Sequence, residues 1–219
     1  MPLVCNNENL KLTNHAKLLG LIIDKNLQWT EHISQMCKKL SKINFALRIL
    51  KTCSGTVTLK SVYFAHFQSI LMYGIEFFGQ APQYLLNRVF KLQKQAIRIL
   101  AGVGPIDSCR GLFEKIKILP LAALYLSQIF LFFKKYPHYM DHAKPTHNYG
   151  TRHKNNYVFS KHKTQAFEKG ALYAGQIFYN KLPNHVKQID SVNVFKNSIK
   201  LPLLELNLYC VDDFVNATI

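Results

Sequence analysis

Apolar residues recur at steps of three and four along most of the first 135 residues, as they do on the buried face of an α-helix. Gly, Pro and Ser interrupt the pattern at intervals, which predicts short links between helices. The second predicted helix is apolar on nearly all sides, so we expect it to lie centrally among its neighbours. The predicted helices run from Thr30 to a stop at Cys53, from Thr56 through Gly74 towards Gly79, and over residues 84–101, 108–117 and 120–135.

A different pattern precedes the first helix. An apolar, β-prone run from Leu18 to Ile23 is followed by the turn-forming residues Asp24, Lys25 and Asn26, after which apolar residues resume. This arrangement predicts a β-hairpin whose turn lies at residues 24–26. A catalytic acid can occupy the end of an apolar strand, but Asp24 is interpreted more simply as a turn residue.

The helical periodicity stops near residue 136 and is replaced by a basic, aromatic segment. Residues 134–169 hold eight Lys and Arg against Asp141 and Glu168, with tyrosines interleaved. We interpret this segment as an extended basic arm, followed by short helices over 171–181, 191–206 and 208–215. The sequence thus predicts a mainly α protein in four parts: a β-hairpin (1–29), a helical bundle (30–135), a basic arm (136–169) and a C-terminal helical tail (170–219).

The charge of the chain indicates the class of binding partner, and its cysteines indicate the cellular compartment. Lys and Arg number 28 against 12 Asp and Glu, a formal net charge of +16, which favours a polyanion such as nucleic acid and, second, an anionic membrane surface. The first ten residues lack the pattern of a signal peptide, and the apolar stretch 118–133 is too short to span a bilayer. The five cysteines are scattered without a C-x-x-C pair, which indicates reduced thiols in an intracellular protein, cytoplasmic or nuclear.

The residues that would carry out catalysis or bind a metal do not form a recognisable set. Nucleophile motifs, a Gly-rich phosphate loop and H-E-x-x-H are absent from the sequence, and its adjacent carboxylates are Asp212 and Asp213. His138 and His142 have a spacing that zinc ligands use, but no cysteine or carboxylate follows at a matching distance. We therefore predict no catalytic residue, no metal site and no cofactor in this chain. Lysines interleaved with aromatic residues fit nucleic acid, although a solvated cationic surface is the simpler alternative.

Six segments, in order along the chain, resemble one protein family. KLLGLIIDKNLQWTEHI (17–33) is similar to the segment of non-LTR retrotransposon reverse transcriptases, especially jockey-like ones, in which a hairpin called the primer grip leads into the helical thumb. YGIEFFG (73–79) and LQKQAIRILAG (92–102) match later segments of the same proteins. The remaining similar segments cover residues 108–125, 147–154 and 167–183.

The resemblance implies the C-terminal part of an RNA-directed DNA polymerase. The family's catalytic aspartates, in a Y-A-D-D-type motif, precede the primer grip, and this sequence has no such motif among the 16 residues before Lys17. We therefore expect the chain to be inactive alone. The magnesium that a full-length enzyme of the family would use belongs to the palm.

The sequence thus predicts a protein that binds RNA or an RNA–DNA hybrid by its backbone, with the palm and fingers of a polymerase as a further partner. By resemblance, Leu19 and Gly20 lie at the primer-grip turn. The alternative is a noncatalytic helical interaction module that binds a protein partner or an acidic membrane surface. The predicted phosphate contacts are Lys38, Lys39, Lys42, Arg88, Lys91, Lys94 and Arg98 in the bundle, and Arg152, Lys154, Lys161 and Lys163 in the arm.

Overall fold

The computed structural model of the chain describes residues 4–5, 8–9, 13–139, 156–159 and 161–217. Two short antiparallel hairpins precede a series of helices, whereas the sequence predicts the helices and one hairpin. The strands are β1 (Val4–Cys5), β2 (Glu8–Asn9), β3 (His15–Leu18) and β4 (Leu21–Asp24). The first helices are α1 (Thr30–Cys53), α2 (Thr56–Val62), a π-helical segment (Tyr63–Gln68), α3 (Ser69–Met72), α4 (Ile75–Phe78), α5 (Gln83–Ala101), α6 (Leu112–Ile116) and α7 (Leu121–Lys135). The C-terminal helices are α8 (Gln165–Glu168), α9 (Ala171–Asn180), α10 (Asn184–Lys187), α11 (Val192–Glu205) and α12 (Val211–Asn216).

The turn of the β3–β4 hairpin lies at Leu19 and Gly20. Leu18 pairs with Leu21, and the two central residues have positive φ angles of 47° and 88°, as two-residue hairpin turns require. The prediction of a turn at residues 24–26 is therefore wrong, and the hairpin turn lies at the two residues where the resemblance implied one. Asp24 ends β4, and its carboxylate accepts hydrogen bonds from the backbone N–H groups of three following residues, Asn26, Gln28 and Trp29.

Helix α1 packs along α5, and the two run parallel. Cys37 lies near Arg88, and the Asn44 side chain donates a hydrogen bond to the carbonyl oxygen of Leu92 at 3.0 Å, so residue numbers rise together along both helices. The opposite face of α1 is exposed. The stripe predicted for α1 forms the core, with Leu40 fully buried.

The second predicted helix differs from its prediction in two ways. It ends at Met72, because Tyr73 is extended and Gly74 adopts φ +70°, and α4 then starts in a new direction. It also buries one face, while residues such as Val57 and Phe64 remain exposed, so it is not the central helix.

The π-helical segment explains how that face stays buried. Leu59, Tyr63, Phe67 and Leu71 are spaced by four residues and are nearly or fully buried. In a regular α-helix each step of four advances the stripe by about 40° around the axis. The wider turn of the π segment offsets this drift and keeps the stripe facing the core.

Helix α7 is the central element of the molecule. It packs against α4 and α5 on one side and against α9, α11 and α12 on the other, and most of its side chains are buried. The Gly175 backbone approaches α7 so closely that an added Cβ would lie 2.3 Å from a Phe133 ring atom. None of the helices in the described residues is both long enough and apolar enough to cross a membrane.

The described part of the predicted basic arm is not simply extended. Tyr157 packs its ring against Phe133 and Tyr179, and its backbone exchanges two hydrogen bonds with the Asn180 side chain. Residues 165–168 form helix α8. Aromatic contacts, whose partners lie far away in sequence, therefore fix this part of the chain. Residues 140–155 and 160 lie outside the described residues.

Candidate nucleic-acid interface

The Leu19–Gly20 turn is held against the junction of α3 and α4. The Tyr73 hydroxyl donates a hydrogen bond to the carbonyl oxygen of Leu19, and the side chain of Leu21 packs over Gly74. The Leu19 side chain itself is 83% exposed. The backbone of the turn is thus fixed while its outer side remains open to a ligand.

A cleft of about 340 Å³ lies between this turn and α1. Its polar lining includes His32, Gln35 and Lys39 from α1 and Ser69 from α3. Leu19, Ile22, Met36 and Ile70 also line the cleft, so it combines apolar surface with polar groups and one ammonium group.

The surroundings of His32 disfavour its positively charged form. Burial lowers the pKa of His32 below its usual value, and the nearby Lys39 ammonium lowers it further. The Ile22 N–H donates to His32 Nδ1 at 3.5 Å, and the ring packs against Trp29 and Phe78. Lys39, which is exposed, therefore supplies the cleft's charge.

Four further predicted cations lie on the outer faces of α1 and α5. Lys38 and Lys42 on α1 are exposed, as are Arg88 and Lys91 on α5. Both helices bury their inner faces in the same core and pack side by side, so their outer faces form one surface. Arg88 lies near Cys37, the neighbour of Lys38, so the exposed cations of the two helices lie on adjoining faces.

Lys94 and Arg98, in contrast, are half-buried and engaged with other parts of the chain. The Lys94 ammonium lies 4.9 Å from the centre of the Phe90 ring and 5.8 Å from that of Tyr209. Arg98 Nε donates to the carbonyl oxygen of Asp107 at 2.7 Å. These two cations anchor the Asp107 loop and the C-terminal segment, which leaves them less free to contact phosphate.

The predicted cations of the arm fall into two groups. Lys161 and Lys163 are exposed, and His162 between them packs against Phe167 and Tyr173, next to α8 and α9. The structure thus places them beside α9 and not beside the α1–α5 surface. Arg152 and Lys154 lie outside the described residues.

Few of the cations are neutralised by carboxylates. Within the described ranges no Lys or Arg lies within 4 Å of a carboxylate, and His162 lies 2.8 Å from Glu168. In the same ranges no group of three or more His, Cys, Asp and Glu lies close enough to bind a metal ion. The α1–α5 surface therefore presents its positive charge to solvent.

Sequence reasoning missed three residues near these sites. Tyr73 fixes the hairpin turn and His32 lines the cleft, and both lie in segments that carry the family resemblance. Arg110 lies 6.0 Å from the centre of the Tyr209 ring, in segment 108–125, which also carries the resemblance.

Comparisons of the chain with known proteins add no relative. No family model, no curated protein and no solved structure matches it. The geometry described above and the similarity of the six segments are therefore the grounds for a functional proposal.

Proposed function

We propose that the chain binds template–primer nucleic acid, an RNA–DNA hybrid or an RNA duplex, by its sugar–phosphate backbone, as the primer grip and thumb of a non-LTR retrotransposon reverse transcriptase. A palm and fingers part would supply the catalytic aspartates and their magnesium. The observation that carries the proposal is the fixed Leu19–Gly20 turn beside the Lys39 cleft, adjoining a surface of unneutralised cations. Gly20 adopts the positive φ that this turn requires, and the Tyr73 ring lies on the side to which a Cβ at Gly20 would point.

The contacts of this surface are with phosphate, so affinity should depend on salt and little on sequence. Five of the predicted cations are exposed here: Lys38, Lys39, Lys42, Arg88 and Lys91. If each neutralises one phosphate, the logarithm of the binding constant falls with the logarithm of salt concentration with a slope of about −3.5 to −4.5.

The test is a fluorescence-anisotropy titration of labelled hybrid duplex at several salt concentrations. Changing Lys38, Lys39 and Lys42 together to Gln should reduce the magnitude of the slope by about 2 to 3. The matched control changes Lys115, Lys196 and Lys200 to Gln, which removes the same charge from exposed positions on α6 and α11. We expect the control to retain most of the slope.

Two outcomes would contradict the proposal. Affinity that is unchanged between low and physiological salt would show that phosphate contacts do not drive binding. Equal losses in the two triple variants would show that net charge, and not this surface, attracts the nucleic acid.

One observation favours a second candidate, a module that binds a protein partner. Large apolar side chains are exposed on and beside the hairpin: Leu18 at 59%, Leu27 at 53% and Phe77 at 59%. Under the first proposal the palm would cover this area, whereas under the second an unrelated protein would. Changing Leu18 and Leu27 to Ser should leave hybrid binding intact under the first proposal, because phosphates do not contact these side chains.

A further inference from the structure

Helix α1 carries a second row of residues, on the side opposite its core stripe. Lys38, Lys42, Phe45 and Ile49 follow at steps of four, three and four, so they lie in line along about 16 Å of the solvent face. Phe45 is 62% exposed and Ile49 is 52% exposed, and both lysines are exposed. We refer to these four residues as the α1 row.

Helix α5 repeats this combination of an aromatic ring with cations. Tyr84, Arg88 and Lys91 follow at steps of four and three, and Tyr84 is 62% exposed. Because α1 and α5 are parallel and adjacent, these residues lie on the same surface as the α1 row. Each helix thus presents an exposed ring in line with two exposed cations.

We infer that this surface binds a single-stranded segment of nucleic acid, with Phe45 stacking on an unpaired base while Lys38 and Lys42 contact its phosphates. The inference rests on the proposed function and adds the form of nucleic acid that the surface accepts. Unpaired bases offer open π-faces to aromatic rings, and such stacking tolerates any sequence. The base faces of a duplex are covered by their neighbours, so phosphate contacts alone would leave Phe45 without a role.

The shape of the surface argues against a lipid bilayer as the ligand. A helix that lies in a membrane interface inserts a broad apolar face. The broad apolar face of α1 is buried in the core, with Ile33, Leu40 and Leu47 fully inaccessible. The exposed apolar side chains of the α1 row, Phe45 and Ile49, instead follow two cations in line, which offers a ring for a base next to charges for its phosphates.

The experiment uses Phe45→Trp as a fluorescent reporter in the full chain. The natural chain has one tryptophan, Trp29, which is 8% exposed and gives a background shielded from ligand. We expect fluorescence quenching on addition of a hybrid duplex with a single-stranded extension, and little change with the blunt duplex. Phe77→Trp is the matched control, because Phe77 is 59% exposed but lies on α4. It should show no extension-dependent quenching.

A second variant, Phe45→Ala, measures the contribution of the ring to affinity. Loss of one base–aromatic stack should weaken binding of the extended duplex about 5- to 150-fold and leave the blunt duplex unaffected. Because the side chain is exposed, the thermal midpoint should stay unchanged. Equal effects on both duplexes, or no effect on either, would overturn the inference.

Two further outcomes separate the inference from the proposal beneath it. Salt-dependent binding of the blunt duplex without any extension-dependent response would refute the single-strand surface and leave the proposed function intact. Failure to bind either duplex would refute the proposed function.

A blue shift in the emission of the Phe45→Trp variant with phosphatidylserine vesicles, and no response to nucleic acid, would show that the surface binds lipid and overturn the inference.

Discussion

The Leu21 side chain of the hairpin packs over Gly74 of the bundle, and replacing Gly74 with alanine tests that contact. Gly74 has φ +70°, and an added Cβ would lie 2.7 Å from Cδ2 of Leu21. Gly102 provides a matched control, since it has φ +73° and an added Cβ there would meet no atom within 4 Å. Both substitutions force alanine into the left-handed region, but only the change at Gly74 also displaces the hairpin.

The structure gives a magnitude to each change. Alanine in the left-handed region costs about 1 to 2 kcal/mol, so Gly102→Ala should lower the free energy of unfolding by that amount. Gly74→Ala carries the same cost plus about 1 to 3 kcal/mol for the overpacked contact with Leu21. We therefore expect Gly74→Ala to lower the free energy of unfolding by about 2 to 5 kcal/mol in total. The loss lies at the lower end of this range if the flexible Leu21 side chain moves aside.

Urea unfolding followed by circular dichroism would measure these free energies. The double variant Gly74→Ala with Leu21→Ala should recover the packing part of the loss, which a double-mutant cycle with Leu21→Ala alone isolates. Equal losses for Gly74→Ala and Gly102→Ala, together with a coupling energy near zero, would refute the contact between the hairpin and the α3–α4 junction.

Other perturbations give separate expectations. Leu40→Ala should lower the free energy of unfolding by about 2 to 5 kcal/mol in the same assay, because Leu40 is fully buried; a loss below about 1 kcal/mol would contradict that packing. Lys39→Gln should raise the pKa of His32, measured by NMR titration of the ring, because it removes a nearby positive charge. Because the pKa of His32 is lower in the folded chain than in the unfolded chain, the unfolded chain binds the proton first as the pH falls. The free energy of unfolding should therefore decrease below about pH 6.5, and the decrease should be smaller in the Lys39→Gln variant. The isolated chain should not extend a primer with magnesium or manganese, and template-dependent incorporation would contradict this. Changing Lys161 and Lys163 to Gln should leave the thermal midpoint nearly unchanged, because both side chains are exposed.

The helices with clear periodicity were predictable from sequence. Helices α1 and α5 begin and end within a residue or two of the predicted positions, since their stripes and their stops at Ser54 and Gly102 are local signals. Local signals also led to the wrong prediction for the hairpin turn. Asp24, Lys25 and Asn26 have stronger turn propensities than Leu19, yet the register of the strands requires positive φ at Leu19.

The break at Tyr73 and the π-helical segment were harder to predict, for different reasons. At the break Leu21 packs over Gly74, a contact between distant parts of the chain that no local pattern indicates. The π segment did leave a signal, the repeated spacing of four residues from Leu59 to Leu71, which no regular α-helix keeps on one face.

The candidate site was predictable where exposure follows from position on a helix. Lys38, Lys42, Arg88 and Lys91 are exposed because they lie opposite buried stripes. Lys94 and Arg98 belong to the same predicted stripe, but the C-terminal segment and the Asp107 loop cover them, and no local pattern reveals such tertiary contacts.

The scarcity of ion pairs gives salt two opposite effects on this protein. The net charge is +16, and in the described parts of the chain no Lys or Arg lies close to a carboxylate, so the cations mostly repel one another across the folded surface. Added salt screens that repulsion and should stabilise the fold, while the same ions compete with phosphate and weaken the complex. A bound nucleic acid would then supply the negative charge that the protein's own carboxylates do not provide. The complex should therefore resist unfolding most strongly at low salt, where the free protein is least stable.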